Sequence, residues 1–177
     1  MTARPIATLL LVISLMSAAV VAHAASVHAV SYDPAAVQTR VMHDYRVALQ
    51  DAPAHLLRLY ELRQTFTGRA PAFAGVRATD MLQQGIADTV DENGTESGYV
   101  TFLLEDGNRI YGRYAGTRKS HRWPDGSRHF DVEGDIELIG GDGAFAGARG
   151  TIHVRLILDP GAESNQGEAR GEIRLDH

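Results

Sequence analysis

The stretch "ELIGGDGAFAGARGTIHVRL", Glu137 to Leu156, carries five glycines (Gly140, Gly141, Gly143, Gly147, Gly150) within eleven residues, with alternating segments on both sides. Glycine in such density serves either a loop that cradles phosphate or a corner where a sheet reverses. A dinucleotide loop needs G-x-G-x-x-G between a strand and a helix, because the helix N-terminus receives the pyrophosphate. Here Gly141, Gly143 and Gly147 give G-x-G-x-x-x-G, one residue too long, and "TIHVRLIL" after it alternates as a strand. A P-loop needs Gly-Lys-Ser/Thr, and the segment has no lysine. The residues fit a structural corner: Gly140, Gly141 and Gly143 permit positive φ, Asp142 bonds its own turn, and Phe145 plugs one end of the fold. Gly147 and Gly150 leave room where strands approach closely.

Outward from this corner the period is two. In "RHFDVEGDIELI", Phe130, Val132, Ile136 and Leu138 share one face, and His129, Asp131, Glu133, Asp135 and Glu137 the other, the pattern of a half-buried antiparallel strand. Turn residues recur about every ten positions, so strands are predicted over 76–87, 97–105, 109–117, 128–139, 150–158 and 168–175. Asp106-Gly107-Asn108 reads as a tight hairpin, Pro124-Asp125-Gly126 closes a longer one, and Asn93-Gly94-Thr95, although a glycosylation sequon, reads as a third turn. A meander of this kind must protect its edges, and closure into an antiparallel β-barrel does so.

The stretch "GGDGAFAGARGTI" resembles the G-G-T-G-x-F-x-x-A-x-G signature of the allene oxide cyclase-like and dirigent-like β-barrels, with matches at Gly140, Gly141, Gly143, Phe145, Ala148 and Gly150. "DGNRIYGRYAGT" resembles the hairpin that precedes it in small exported bacterial members, and the likeness spans residues 75 to 175. Asp142 departs from it, standing where the family has threonine. The resemblance implies a closed barrel of about eight strands with an apolar interior, assembly as a homotrimer, and cofactor-free chemistry by positioning, either cyclisation of a fatty-acid epoxide or orientation of phenoxy radicals. The family's catalytic residues lie outside the signature, and none is carried over.

The N-terminal part reads differently. "MTARPIATLLLVISLMSAAVVAHAASV" has Arg4, an apolar run and Ala22-His23-Ala24, which is the form of a secretory signal ending at Ala24. Export to the periplasm or the medium is expected, with about 153 residues left for one domain. No later apolar run approaches the ~20 residues of a membrane-spanning helix. Asp33-Pro34 followed by Val37, Val41, Tyr45, Ala48 and Leu49 has helical spacing, and Leu56, Leu59, Tyr60 and Arg63 continue as a shorter helix or lead into the first strand at "LRQTFTG", 62–68. The predicted organisation is a signal over 1–24, a helical arm and lead-in over 25–68, and the barrel over 69–177.

Composition narrows the chemistry. A formal net charge of −5, one unit more negative once Arg4 is removed, opposes a nucleic-acid partner. There are no cysteines, which excludes thiol catalysis and Cys-held metals. The seven histidines after Ala24 lack metal-ligand spacing; His129 and His153 are expected to face each other on the outer surface, and no metal site is assigned. No G-x-S-x-G elbow exists.

Within a barrel, Ile110, Gly112, Tyr114 and Phe130 share the inner face. Tyr114 is the candidate interior polar handle, and Glu105 at a hairpin mouth is the second candidate for acid–base work. Trp123, in the basic segment 117–128, and Phe130 are the remaining candidate ligand contacts. Three functions stay open: a barrel that binds a small apolar molecule, a cofactor-free cyclase or isomerase, and a partner-binding protein with a filled barrel.

Overall fold

The computed structural model describes residues 25–159 and 164–175. The expected signal lies outside the described residues. Ten strands follow one another: β1 (Ser26–Tyr32), β2 (Val37–Ala48), β3 (His55–Phe66), β4 (Ala72–Phe73), β5 (Val76–Val90), β6 (Asn93–Leu104), β7 (Arg109–Arg122), β8 (Arg128–Gly141), β9 (Arg149–Asp159) and β10 (Ser164–Leu175). All pair antiparallel in the order β1-β10-β9-β8-β7-β6-β5-β3-β2, with the two-residue β4 beside β5. The six strands read between 76 and 175 are all present, and several run longer than the pattern suggested.

The expected closed barrel is not formed, because β1 and β2 are the two margins of the sheet and no ladder joins them. They are, however, consecutive in sequence. Only residues 33–36 separate them, a link that spans at most about 18 Å, so the sheet must curl until its margins lie close together. The link is fixed to the chain after β3, since Thr67 N–H donates to Ala36 O at 2.9 Å and Asp33 N–H to Arg69 O at 3.3 Å. Tyr32 of β1 meets Phe66 of β3 edge to face at 5.4 Å.

The helical arm is also corrected. Asp33 caps a single 3-10 turn, Pro34–Ala36, by accepting from Ala35 N–H at 2.9 Å, and the chain then enters β2. A bulge between Val41 and His43 explains the helical appearance. The ladder to β3 places 37, 39 and 41 on one face and, after the bulge, 44, 46 and 48, so a three-residue step interrupts the period of two. In β3, Leu57 and Leu59 stand on the face opposite Tyr60 and Leu62, and two apolar faces imitate helical spacing. β3 pairs with β5 from His55 to Thr65.

The turn expected at Asn93 lies two residues earlier. Asp91 and Glu92 both take positive φ (48° and 64°), a tight hairpin whose backbone twist suits the flanking strands. At the glycine corner Gly143, φ 54°, opens a 3-10 turn, Gly143–Phe145, that sends Phe145 into the core. Phe73, Phe102, Ile110, Leu138, Phe145, Ile152 and Ile173 fill this end of the concave space almost without solvent contact. The opposite end is hollow.

Candidate functional site

A cavity of about 760 Å³ occupies the concave side, lined from every strand except β4. That volume lies within the ~300–1,000 Å³ common to small-molecule sites. Its floor is Met81, Val100, Tyr114 and Ile136, which also belong to the packed core. Its walls include Val132, Val154, Leu156 and Leu158. At the unpaired margin the lining passes to exposed Gln38 and Thr39 of β2 and to half-buried Asp159 and Asn165.

Alternation along each strand selects what points inward. On β7, Ile110, Tyr114 and Arg118 share the concave face; on β6, Glu96 shares it with Val100 and Phe102; on β3, Arg58 shares it with Tyr60 and Leu62. Two charged residues, Glu96 and Arg118, therefore stand in the inward phase of β6 and β7 beside Val100, Phe102, Ile110 and Tyr114. Arg118 Nη1 is 3.7 Å from Glu96 Oε1, and the side chains are only 19% and 12% exposed. The guanidinium carbon of Arg118 sits 3.7 Å above the Phe130 ring, a cation–π contact strengthened by loss of solvent. Its Nε is buried and makes no hydrogen bond.

Burial outweighs the attraction within this pair. It raises the Glu96 carboxyl above its ordinary range, against the lowering effects of Arg118 and Arg58, and it lowers the Arg118 guanidinium. Both shifts favour the neutral forms, as expected when desolvation exceeds a Coulombic gain at this distance. Beside them, Arg58 Nε donates to Asp44 Oδ1 at 2.9 Å, and Arg46 holds the other oxygen of Asp44 at 2.8 Å. These hydrogen bonds, that from Arg46 foremost, pull Asp44 down to about 2. Arg58 is thus satisfied, and Arg118 is not.

Two tyrosines complete the polar end. Glycines on the same or the adjacent strand leave the space that they occupy: a Cβ at Gly116, two residues along β7, would stand 2.6 Å from the Tyr114 hydroxyl oxygen, and one at Gly85 of β5 would stand 2.8 Å from that of Tyr60. The Tyr60 hydroxyl oxygen accepts from Gln83 Nε2 at 3.1 Å, and the hydroxyl is pushed up to about 12, first by burial and next by the charge of Glu96. Burial likewise raises Tyr114. Both hydroxyls stay protonated at neutral pH and are available as donors.

Of the residues singled out from sequence, the fold brings Tyr114 and Phe130 together in the cavity. Glu105 is exposed beyond the filled end, with Oε1 3.4 Å from the Arg77 amide. Trp123 lies outside, its ring tilted against His129 at 4.7 Å, and His129 in turn stacks at 5.3 Å on His121. His129 pairs across the ladder with His121, and His153 with Asp135, so the expected His129/His153 juxtaposition does not occur. Among the described residues no group of three or more His, Cys, Asp or Glu side chains could hold a metal, and no helix is long and apolar enough to cross a membrane. Sequence reading missed Glu96, Arg58 and Tyr60, and it singled out Arg118 only as part of the basic segment 117–128, a candidate docking site for an anionic ligand or partner. A signal existed for two of them: in "GTESGYVTFLL" Glu96 falls in phase with Val100 and Phe102, and in "RIYGRYAGTR" Arg118 falls in phase with Ile110 and Tyr114. No family model matches the chain, and no curated protein or solved structure matches it.

Proposed function

We propose that this protein is an exported binding protein whose curled sheet takes up one small, mainly apolar molecule. The observation that carries the reading is the half-hollow concave face: one end is packed with Phe73, Phe102 and Phe145, and the other keeps about 760 Å³ open above apolar walls. A filled interior is what a purely structural or partner-binding role would favour, and the open end weighs against it. The glycine corner supports kinship with the allene oxide cyclase-like and dirigent-like proteins, and through them a homotrimer, although this sheet lacks the closing ladder. The test is native mass spectrometry of the protein recovered after export, with gentle extraction of bound material. A co-purified lipophilic species, or saturable uptake of fatty acids or phenolics, is expected; a persistent apo mass in their presence would refute the reading.

A second reading, a cofactor-free isomerase or cyclase in the same cavity, is favoured by one observation. Glu96, raised by burial, and the protonated hydroxyls of Tyr60 and Tyr114 line the same enclosed volume. Glu96 would exchange a proton with substrate while a tyrosine steadied the developing oxyanion. In this case Tyr114→Phe and Glu96→Gln each lower turnover by about 10²-fold or more while leaving ligand uptake intact. Equal turnover in both variants would leave only binding.

A further inference from the structure

We propose that the polar end of the cavity is an anion subsite in which Arg118 receives the carboxylate of an amphiphilic ligand, displacing Glu96 as its counter-ion. This rests on the reading of the cavity as a binding site and adds the ligand's chemical class. Three observations converge on it. First, Arg118 is held in place before any ligand arrives: its guanidinium lies 3.7 Å over Phe130, so the stem and plane are fixed while the polar edge faces the cavity. A planar fork fixed in this way matches a carboxylate in geometry, which a lysine does not. Second, the hydrogen-bonding capacity of that fork is not used. The nearest carboxylate, Glu96, stands at 3.7 Å, too far for a hydrogen bond, and the buried Nε has no partner. An unpaired buried donor costs stability, and an entering acceptor recovers that cost.

Third, the charged groups around the fork leave Arg118 without a close counter-ion. Facing Glu96 and Arg118 are Arg58 from β3 and the hydroxyls of Tyr60 and Tyr114, while Glu92 acts on Arg118 from the β5–β6 turn. Glu92 also pairs with Arg128, and Asp44 is committed to Arg46 and Arg58. Glu96 is the acidic group nearest the Arg118 fork, and its burial favours the protonated form. When a ligand carboxylate occupies the Arg118 fork it takes the place of Glu96, whose burial already disfavours its charged form, so that Glu96 is the rival that the ligand displaces. Val132, Val154, Leu156 and Leu158 then cover an apolar body extending from the head group.

Dodecanoate and dodecanol share a tail and differ at the head, so their binding to the intact protein, measured by calorimetry or by displacement of a fluorescent fatty acid analogue, isolates the subsite. The expected result is a preference of about tenfold or more for dodecanoate, the range of a charge-assisted hydrogen-bonded pair. Arg118→Gln removes this preference while dodecanol binding is kept, and Glu96→Gln increases it by removing the competing carboxylate. Equal affinity for the two probes in the wild type overturns the anion subsite yet leaves the cavity reading standing. Failure of both probes to bind removes the cavity reading and the subsite with it. Weaker dodecanoate binding in Glu96→Gln also overturns the proposal, since Glu96 would then be helping to hold the anion. Should Arg118→Gln fail to fold, as read by near-ultraviolet circular dichroism, the wild-type comparison and the Glu96 variant decide the matter.

Discussion

At the scale of single residues, two carboxyl groups with opposite shifts give the stability curve a recognisable shape. Asp44 is lowered from 3.8 to about 2, so its contribution is present above pH 3.8 and disappears as pH falls through about 2. Solvent reaches this group, and screening limits its share to about 1 kcal/mol or less. Glu96 is raised above 4.5, so its contribution is complete below pH 4.5 and is lost as pH rises through its folded value. Urea unfolding across the acid range should therefore show stability rising from pH 2 to 4 and then a decline above 4.5 that Glu96→Gln lacks; an identical decline in the variant would mean that Glu96 is not the buried titrating group. Gly116 tests a different property, because an added methyl group would stand 2.6 Å from both the Tyr114 hydroxyl and the Glu133 carbonyl. Gly116→Ala is expected to cost about 1–3 kcal/mol and to tilt Tyr114 into the cavity, seen as a lowered urea midpoint and a changed tyrosine circular dichroism band.

Among elements, β2 departs most from ordinary strand behaviour. From Gln38 to Ala48 nearly every residue is exposed on both faces, with Tyr45 65%, Val47 55% and Val41 53% exposed, and only β3 pairs with it. A margin strand that is both apolar and half-paired invites pairing with another chain. Tyr45→Lys should change unfolding free energy by less than about 0.5 kcal/mol while reducing light scattering on heating; a larger loss of stability would mean that Tyr45 is packed. The same exposure explains why β2 was read as a helix. Strand reading depends on one face being buried, and β8, whose inward Phe130, Val132, Ile136 and Leu138 alternate with outward charges, was legible to within two residues. In β2 no burial distinguishes the faces, and the bulge at Met42 breaks the period. The site was half legible for a related reason. Tyr114 and Phe130 were found as large side chains in the inward phase, whereas Glu96 and Arg118 carry polarity that normally marks the solvent side, and only the phase of their neighbours identifies them.

For the whole molecule, stability and capacity are separated along the concave space, since the phenylalanine-rich end supplies packing and the hollow end supplies volume. Val132→Phe, at the wall beside Arg118 and Phe130, should fill part of the hollow. Uptake of apolar probes should fall by about tenfold or more, with the thermal midpoint unchanged or higher, since filling a cavity commonly adds about 0.5–2 kcal/mol; unchanged uptake would place the ligand elsewhere. Wall-filling also distinguishes ligand volume from head-group chemistry, because it should weaken dodecanoate and dodecanol together. The pairing of the first strand with the last, from Ser26 with Leu175 to Tyr32 with Ala169, has a consequence in time. A chain emerging from its N-terminus can build the β2-β3-β5-β6 hairpins as they appear, but β1 has no partner until β10 has been delivered. The fold is thereby completed by its longest loop closure, which is slow, and the curled sheet remains unlatched until β10 has arrived.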